Sequence, residues 1–221
     1  MHYVWDFAIL GKYSHLFWLG LSWTIAYTIG TIVLGTLLGL VVGMLRVARL
    51  PVVDWFLVAY IELFRCTPLL VQLVWVYYAL PVLIGVEMTA ASACFITLSL
   101  YAGSFYAEIF RGGIESVDVG QWEAGRAIGM RTGKIFRRIV LPQAIQVMIP
   151  SFINQTILQL KNTSLVSVVA VGDLLYQGSV ITAASYRPLE VYTTIAVVYF
   201  AVLFPLTLVA DQVEARMGAH R

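Results

Sequence analysis

Gln121 to Gln143 reads QWEAGRAIGMRTGKIFRRIVLPQ, and this interval organises the rest of the chain. It is the longest polar interval among apolar runs, and it holds five of the fourteen Lys and Arg residues. Good helix formers over residues 121–128, followed by Gly129 as a left-handed C-cap, predict a short helix. We expect Asp118 to cap it, with Gln121 three residues later as in a weak capping box.

A second short helix is predicted to follow, with Thr132 as its N-cap. Its apolar face consists of Ile135, Phe136, Ile139 and Val140. Three basic side chains fall away from that face, namely Lys134, Arg137 and Arg138. Pro142 is expected to end this helix and to begin the next one, because proline has no N–H for the helix interior.

The chain as a whole is too apolar for a soluble domain. Of its 221 residues, 60% are hydrophobic and 12% are charged, which predicts an all-α, polytopic membrane protein. The sequence contains no run of like charges of the kind that would indicate a nucleic acid partner. Cys66 and Cys94 lie in apolar sequence without metal-ligand spacing, so we expect two buried thiols.

Neither catalysis nor a cofactor is expected in this chain. His2, His15 and His220 are scattered, which argues against a metal site and against a histidine catalyst. Nothing reads Gly-x4-Gly-Lys-Ser/Thr, so any ATP hydrolysis must take place in a separate chain. The N-terminus lacks a basic head and a small-residue cleavage site, so the first span is expected to be retained.

Five apolar intervals predict five transmembrane helices in one domain of residues 19–210. They are residues 19–45, 67–86, 88–109, 142–160 and 189–210. Residues 1–18 are predicted to form a periplasmic or interfacial N-terminal segment, and an aromatic belt is expected from Tyr3, Trp5, Tyr13, Trp18 and Trp23. Residues 211–221 are expected to be a short cytoplasmic tail.

Two intervals are too short to cross a bilayer alone. Residues 52–64 are predicted to form an amphipathic helix before the second span. Residues 164–175 are either an extension of the fourth helix or a re-entrant piece. The polar loop of residues 118–142 separates spans three and four.

Several polar and small residues within the spans suggest packing contacts. Gly35, Gly39 and Gly43 recur every four residues, which is typical of a face where membrane helices approach closely. Glu62 and Arg65 are spaced to pair on a helix surface. Glu108 is either a functional intramembrane charge or the partner of a nearby arginine.

The fourth span is the most polar of the five. Polar side chains are costly in lipid, so we expect them to face the bundle interior or a watery cavity. The predicted substrate pathway consists of Asn154, Gln155, Leu158, Gln159 and Asn162. The alternative is that the amides only bond neighbouring helices together. Pro150 is expected to kink this helix.

Basic residues predict the orientation of the chain. If the polar loop lies inside, ten Lys and Arg residues are cytoplasmic, and Lys12 and Arg187 are outside. The ten are Arg46, Arg49, Arg111, Arg126, Arg131, Lys134, Arg137, Arg138, Arg216 and Arg221. The N-terminus is therefore predicted to be outside and the C-terminus cytoplasmic.

The loop also carries a specific resemblance. Glu123-Ala124-Gly125, followed at fixed spacing by Gly129, Ile139 and Leu141-Pro142, resembles the EAA loop of membrane subunits of ATP-binding cassette (ABC) importers. The resemblance implies that this loop rests in a cleft of a cytosolic ATPase dimer and transmits its closure. It implies a coupling set of Gln121, Glu123, Ala124, Gly125, Ala127, Gly129 and Met130. Gly125 departs from the family, which usually has alanine there.

Three further segments resemble the polar amino acid branch of these importers. They are residues 62–72, residues 107–116 leading into the loop, and residues 160–165, where Asn162 replaces a common aspartate. The resemblance implies a bacterial inner-membrane permease that moves a polar amino acid. It also implies a second permease subunit, identical or homologous, and an extracytoplasmic substrate-binding protein.

The amides suggest which amino acids are carried. We expect carboxylates in place of Gln155 and Asn162 in members that handle cations, because a cation in a low-dielectric cavity needs a counter-charge. A neutral or acidic substrate is therefore predicted. A secondary transporter or channel and a non-transporting scaffold remain as alternatives, and an intramembrane enzyme is the least favoured.

Overall fold

The computed structural model describes residues 3–218, so the predictions that concern His2, His220 and Arg221 lie outside the described residues. Helices and no strands form this part of the chain, which confirms the all-α prediction. The helices are α1 Ala8–Lys12, α2 Ser14–Val47, α3 Pro51–Cys66, α4 Leu69–Ile84, α5 Ala90–Glu115, α6 Val119–Ala127, α7 Thr132–Val169, α8 Leu174–Ser185 and α9 Pro188–Gly218.

Between three and five segments of the described chain are long and apolar enough to cross a membrane. Helices α2, α5 and α9 qualify individually. Helices α3 and α4 meet at 108°, and α7 and α8 meet at 45°; each bent pair qualifies only as a broken span or a re-entrant loop. The number of spans, predicted as five, therefore stays a prediction.

Helix ends differ from the predicted ends because hydropathy marks apolar residues and not the end of helical hydrogen bonding. Helix α2 begins at Ser14, α5 continues to Glu115, and α9 continues to Gly218. Helix α9 thus continues into the segment of residues 211–221, and the prediction that this segment is a cytoplasmic tail stays a prediction.

Helix α7 passes through Pro142 without a break, which corrects the prediction that this proline separates two helices. A π-helical turn at Phe136–Val140 leads directly into the helix Leu141–Asn162. In a π turn each N–H reaches five residues back, and the changed register accommodates a residue that lacks an N–H. The helix also continues through Pro150. Thr132 is the first helical residue, whereas Arg131 is the N-cap and supplies no side-chain cap.

Residues 164–175 extend the fourth helix and then turn. Thr163–Val169 form a 3₁₀ segment that ends at Ala170, whose φ of 59° is left-handed. Helix α8, which no sequence pattern predicted, then begins behind Asp173. The Asp173 carboxylate caps it by accepting hydrogen bonds from the amides of Tyr176 (2.9 Å) and Leu175 (3.2 Å).

The chain divides into two compact units. The first unit comprises residues 3–31, Leu69–Leu98 and Ile157–Val209, and its core includes the buried residues Leu174, Ile181, Val191 and Ile195. Gly20 of α2 approaches Leu174 so closely that an added Cβ would lie 2.7 Å from the Leu174 Cα. In this unit the buried Glu190 carboxylate accepts hydrogen bonds from the Tyr3 hydroxyl and the Asp6 amide.

The second unit comprises Ile32–Pro68, Ser99–Thr156 and residues 210–218. Within it, the predicted glycine face packs against α5. A Cβ at Gly35 would lie 2.6 Å from the Ala102 Cβ, and a Cβ at Gly39 would lie 2.5 Å from the Tyr106 Cβ. A Cβ at Gly43 would lie 2.7 Å from the Ala107 carbonyl oxygen. The predicted close approach at this face is confirmed.

Ion pairs tie α3 to its neighbours in the second unit. Arg46 lies 3.0 Å from Asp54, and Arg65 lies 3.7 Å from Glu108 rather than pairing with Glu62. Arg111 also binds Glu108, at 2.7 Å. Glu108 is therefore a partner of arginines, which was one of the two alternatives.

Cys94 is buried as predicted, but Cys66 is exposed, because it lies at the end of α3 where the chain turns.

Candidate functional site

Helix α6 has well-defined ends. The Asp118 side chain accepts a hydrogen bond from the Gly120 amide at 2.6 Å, which confirms Asp118 as the N-cap. Gln121 donates its backbone amide to the Asp118 carbonyl. At the other end, Gly129 has a φ of 74°, and the amides of Gly129 and Met130 bond to the carbonyls of Arg126 and Gly125. These two bonds form a Schellman motif, as expected for a glycine C-cap.

One side of α6 packs against the first turns of α7. Trp122 and Met130 pack on a buried cluster that includes Ile135 and Val140, and the rings of Trp122 and Phe136 lie 6.4 Å apart. Gly125 is buried, and a Cβ there would lie 2.8 Å from the Ile135 Cγ1. The predicted apolar face of the second helix is thus confirmed, and it forms the support for α6.

The predicted coupling set divides into two groups. Five members are exposed, namely Gln121, Glu123, Ala124, Ala127 and Gly129. The other two, Gly125 and Met130, face inward and hold α6 on its support. Glu123 has no ion pair among residues 3–218. The role of this surface in coupling is untested by the geometry and stays a prediction.

The predicted pathway residues of α7 also divide. Gln159 is fully buried, and its Nε2 donates to the Thr31 hydroxyl (3.0 Å) and to the Leu98 carbonyl (3.2 Å). In this conformation Gln159 bonds helices together, which is the alternative that the sequence left open. Gln155 is likewise buried, at 5% exposure.

Asn154 and Leu158 are exposed, Asn162 is half-buried, and Lys161 is exposed. Asn154 donates to the Glu214 carboxylate of α9 at 3.1 Å. This contact was not predicted, because no local pattern connects residues sixty positions apart in sequence. Gln143 and Gln146 are exposed. The side-chain amide of Gln143 donates a hydrogen bond to the Ile139 carbonyl of the same helix at 2.9 Å.

Comparison with known families assigns the chain. Residues 32–219 match the family described as the inner membrane component of binding-protein-dependent transport systems. The match covers most of the chain and includes both the α6 loop and the polar helix α7. The chain belongs to this family. It is a permease subunit of an amino acid ABC importer and a multi-pass protein of the inner membrane.

Relatives with assigned substrates support the amino acid branch. The permease is 31% identical to the arginine transport system permease protein ArtQ of Bacillus subtilis over 91% of this chain and 92% of ArtQ. It is 36% identical to the L-cystine permease protein TcyB of the same organism over 91% of this chain and 86% of TcyB. It is 33% identical to the glutamine permease protein GlnP of Escherichia coli over 83% and 84% of the two chains.

The fold is shared with solved transporters. The permease matches a chain in the crystal structure of an amino acid ABC transporter with histidines, with a TM-score of 0.90 and 34% identity. That match covers 97% of this chain and 100% of the other. A chain of the MetNI methionine ABC transporter matches with a TM-score of 0.74 at 22% identity, which shows the fold alone.

Family membership decides between the predicted alternatives. The permease belongs to an ABC importer, so the secondary transporter or channel and the scaffold are not supported. Its relatives carry arginine, glutamine or cystine by name, and these differ in charge. Family membership therefore establishes amino acid transport, whereas the named substrates of the relatives do not share one charge class.

Proposed function

We propose that α6 is the element through which a cytoplasmic ATPase dimer drives this permease. Glu123 and its exposed neighbours, which include Gln121, Ala124 and Ala127, form a free surface of mixed polarity, whereas Trp122, Gly125 and Met130 fix the opposite side of α6 to α7. A short helix that is free on one side and packed on the other moves with its support. This seating of α6 is the observation that carries the proposal.

The continuous backbone of α7 supports a mechanical path from α6 into the bundle. The buried cluster beneath α6 includes Ile135 and Val140, and the same helix continues without interruption to Val169. ATPase closure would shift α6 and tilt α7, and the pathway would open to the outside. Such a switch requires two packings of the bundle within a few kcal/mol of each other.

The assembly that we propose contains two permease subunits, identical or homologous, because at most five spans are too few to enclose a path. An extracytoplasmic binding protein delivers the substrate, as the description of the family implies. The orientation is N-terminus outside and C-terminus inside, with five spans. The excess of Lys and Arg on the α6 side supports it.

The substrate that we propose is a neutral or acidic amino acid. On α7, Asn154 and Leu158 are the exposed pathway candidates, and the exposed Lys161 adds a positive charge to the same helix. The Glu214 carboxylate accepts a hydrogen bond from Asn154 and keeps its charge, whereas none of the pathway candidates themselves is anionic. A cationic substrate would therefore lack a counter-charge from the pathway residues. Gln155 and Gln159 are both buried.

The coupling proposal is tested by Glu123→Lys and Gly129→Asp in the assembled complex. We expect both variants to be inserted and folded but to lose substrate-stimulated ATPase activity and to retain less ATPase subunit on purification. Glu87→Lys is the control, since it makes the same charge change at an exposed residue in the loop between α4 and α5. Undiminished stimulation in Glu123→Lys would refute the role of α6.

Uptake of labelled amino acids by proteoliposomes tests the substrate proposal. Glutamine, glutamate, cystine, arginine and lysine are compared at equal concentration with the cognate binding protein present. Preferential uptake of neutral or acidic amino acids is expected. Preferential uptake of arginine or lysine would refute the substrate class while leaving the coupling proposal intact.

A further inference from the structure

Four basic side chains at the start of α7 form an exposed patch that the coupling proposal does not use. Arg131, Lys134, Arg137 and Arg138, which we call the basic face, are all exposed. They lie opposite Ile135 and Val140, which are fully buried beneath α6. The basic face therefore points away from the cluster that holds this part of the chain together.

The basic face lacks the acidic partners that several other arginines of the permease have. Arg46, Arg65 and Arg111 each lie within 3.7 Å of a carboxylate in the second unit, and Arg187 pairs with Glu190 in the first. Within residues 3–218, none of the four members of the basic face forms an ion pair. Four adjacent uncompensated cations repel each other, so this surface favours an anionic partner.

The position of the basic face relative to the span indicates which anion. Helix α7 is continuous from Thr132 into the apolar interval that begins near Leu141. At about 1.5 Å per residue, Arg138 lies at most about 5 Å and Lys134 at most about 11 Å along the axis from Leu141. Tilting the helix only shortens these distances from the membrane. Headgroups occupy roughly 5–7 Å on each side of the hydrocarbon. Arg137 and Arg138 therefore lie level with the lipid phosphates, and Lys134 reaches them through its long side chain.

We propose that the basic face binds the headgroups of anionic phospholipids in the inner leaflet and holds the start of α7 at the membrane surface. The inference rests on the proposed orientation, in which α6 and the basic face are cytoplasmic. Lipid is favoured over the ATPase because the basic face belongs to the helix that enters the membrane. The ATPase contact is assigned instead to the exposed side of α6. Each Lys or Arg near an anionic surface increases binding by about fivefold.

The test uses the full permease complex in nanodiscs of phosphatidylcholine with 0 to 40% phosphatidylglycerol. Spin-labelled phosphatidylglycerol reports the motionally restricted, protein-bound lipid, and spin-labelled phosphatidylcholine gives the reference. The wild type should prefer phosphatidylglycerol, and the preference should fall as salt is raised. Lys134→Gln/Arg137→Gln/Arg138→Gln should remove most of it. The charge-preserving variant Lys134→Arg/Arg137→Lys/Arg138→Lys should keep it.

Each outcome decides the proposal. A wild type without any preference for phosphatidylglycerol, or a neutralised variant that keeps the full preference, would overturn it. So would a neutralised variant that loses the ATPase subunit while its lipid preference is unchanged, since the basic face would then be a protein contact. If the triple variant does not fold, the single variants Arg137→Gln and Arg138→Gln replace it, and a phosphatidylglycerol preference that neither of them reduces would overturn the proposal. Lipid binding is read without ATP, so failure here is distinguishable from failure of the coupling proposal.

Discussion

Gly125 shows how a neighbouring side chain can determine which residue type fits at one position. Alanine is usual at this position of the EAA loop, and from helix propensity glycine costs about 1 kcal/mol or less. The structure gives a reason for glycine here. A Cβ would lie 2.8 Å, 3.0 Å and 3.2 Å from the Cγ1, Cδ1 and Cγ2 of Ile135, which is fully buried and branched at Cβ. Such a side chain has little freedom to move aside.

Gly125→Ala is therefore expected to destabilise the permease, although alanine is the better helix former. Overpacking of this kind costs about 1–3 kcal/mol. Thermal unfolding of the detergent-solubilised protein measures the effect. Gly133→Ala is the matched control, because nothing lies within 4 Å of a Cβ at that position of α7. In an Ile135→Ala background the cost of Gly125→Ala should shrink. An equal cost in both backgrounds would contradict the proposed clash.

Gln159 shows how the contacts of a polar side chain depend on its burial. The sequence places it with Gln155 and Asn162 in the predicted substrate pathway, which stays a prediction. The side chain is fully buried, however, with its Nε2 bonded to Thr31 and Leu98. Hydrogen bonds of this kind between membrane helices contribute about 0.6–1.7 kcal/mol. The polar residues of one transmembrane helix therefore divide between joining helices and facing outward.

At the scale of elements, the contact between α2 and α5 depends on small residues. Gly39 approaches the Tyr106 Cβ, the Ala107 nitrogen and the Gly103 carbonyl oxygen, so backbone faces backbone. Tyr106 in turn stacks on Phe152 of α7 at 4.6 Å and bonds to Thr156 at 3.1 Å. A larger side chain at position 39 is thus expected to displace Tyr106 and to alter its contacts with α7 within the second unit.

Gly39→Val is expected to lower the thermal unfolding temperature of the permease strongly, by the equivalent of about 3 kcal/mol or more, since two backbones would have to separate. Unfolding in detergent checks this. Val41→Leu provides the control, because Val41 lies on the same helix at 59% exposure. Equal stability of the two variants would mean that the glycine face is not needed for packing.

At the scale of the whole molecule, two bends affect the topology. One lies between α3 and α4, and the other lies between α7 and α8. They leave the number of spans between three and five, although the family of the chain is clear. The proposed topology requires that α6 and the basic face lie on the cytoplasmic side. It also requires that the loop between α4 and α5 lies outside.

Labelling of single cysteines with a membrane-impermeant maleimide tests this topology. The background is Cys66→Ser, since Cys94 is fully buried. Lys134→Cys should react only after the cells are permeabilised, and Glu87→Cys should react in intact cells; both positions are exposed. Reaction of Lys134→Cys in intact cells would put the EAA loop on the wrong side of the membrane. The coupling proposal would then fail.

Several features of the permease could be predicted from residues that are close together in the sequence. Composition predicted an all-α membrane protein because a soluble domain cannot carry so much apolar surface. Asp118 and Gly129 predicted the ends of α6, since a carboxylate cap and a left-handed glycine act within one turn. The spacing from Glu123 to Pro142 identified the importer family. Each of these signals depends on residues that are close in the chain.

Only the tertiary structure decided which residues share a surface. The close approach of Gly125 to Ile135 depends on how α6 packs on α7. The hydrogen bond between Asn154 and Glu214 joins two residues that are far apart in sequence. The burial of Gln159 depends on Thr31 and Leu98, which other helices supply. Hydropathy could not show that α7 continues through Pro142 either, because a π turn is a matter of hydrogen-bond register. Sequence periodicity fixes which residues lie on one face of a helix, and packing determines what that face meets.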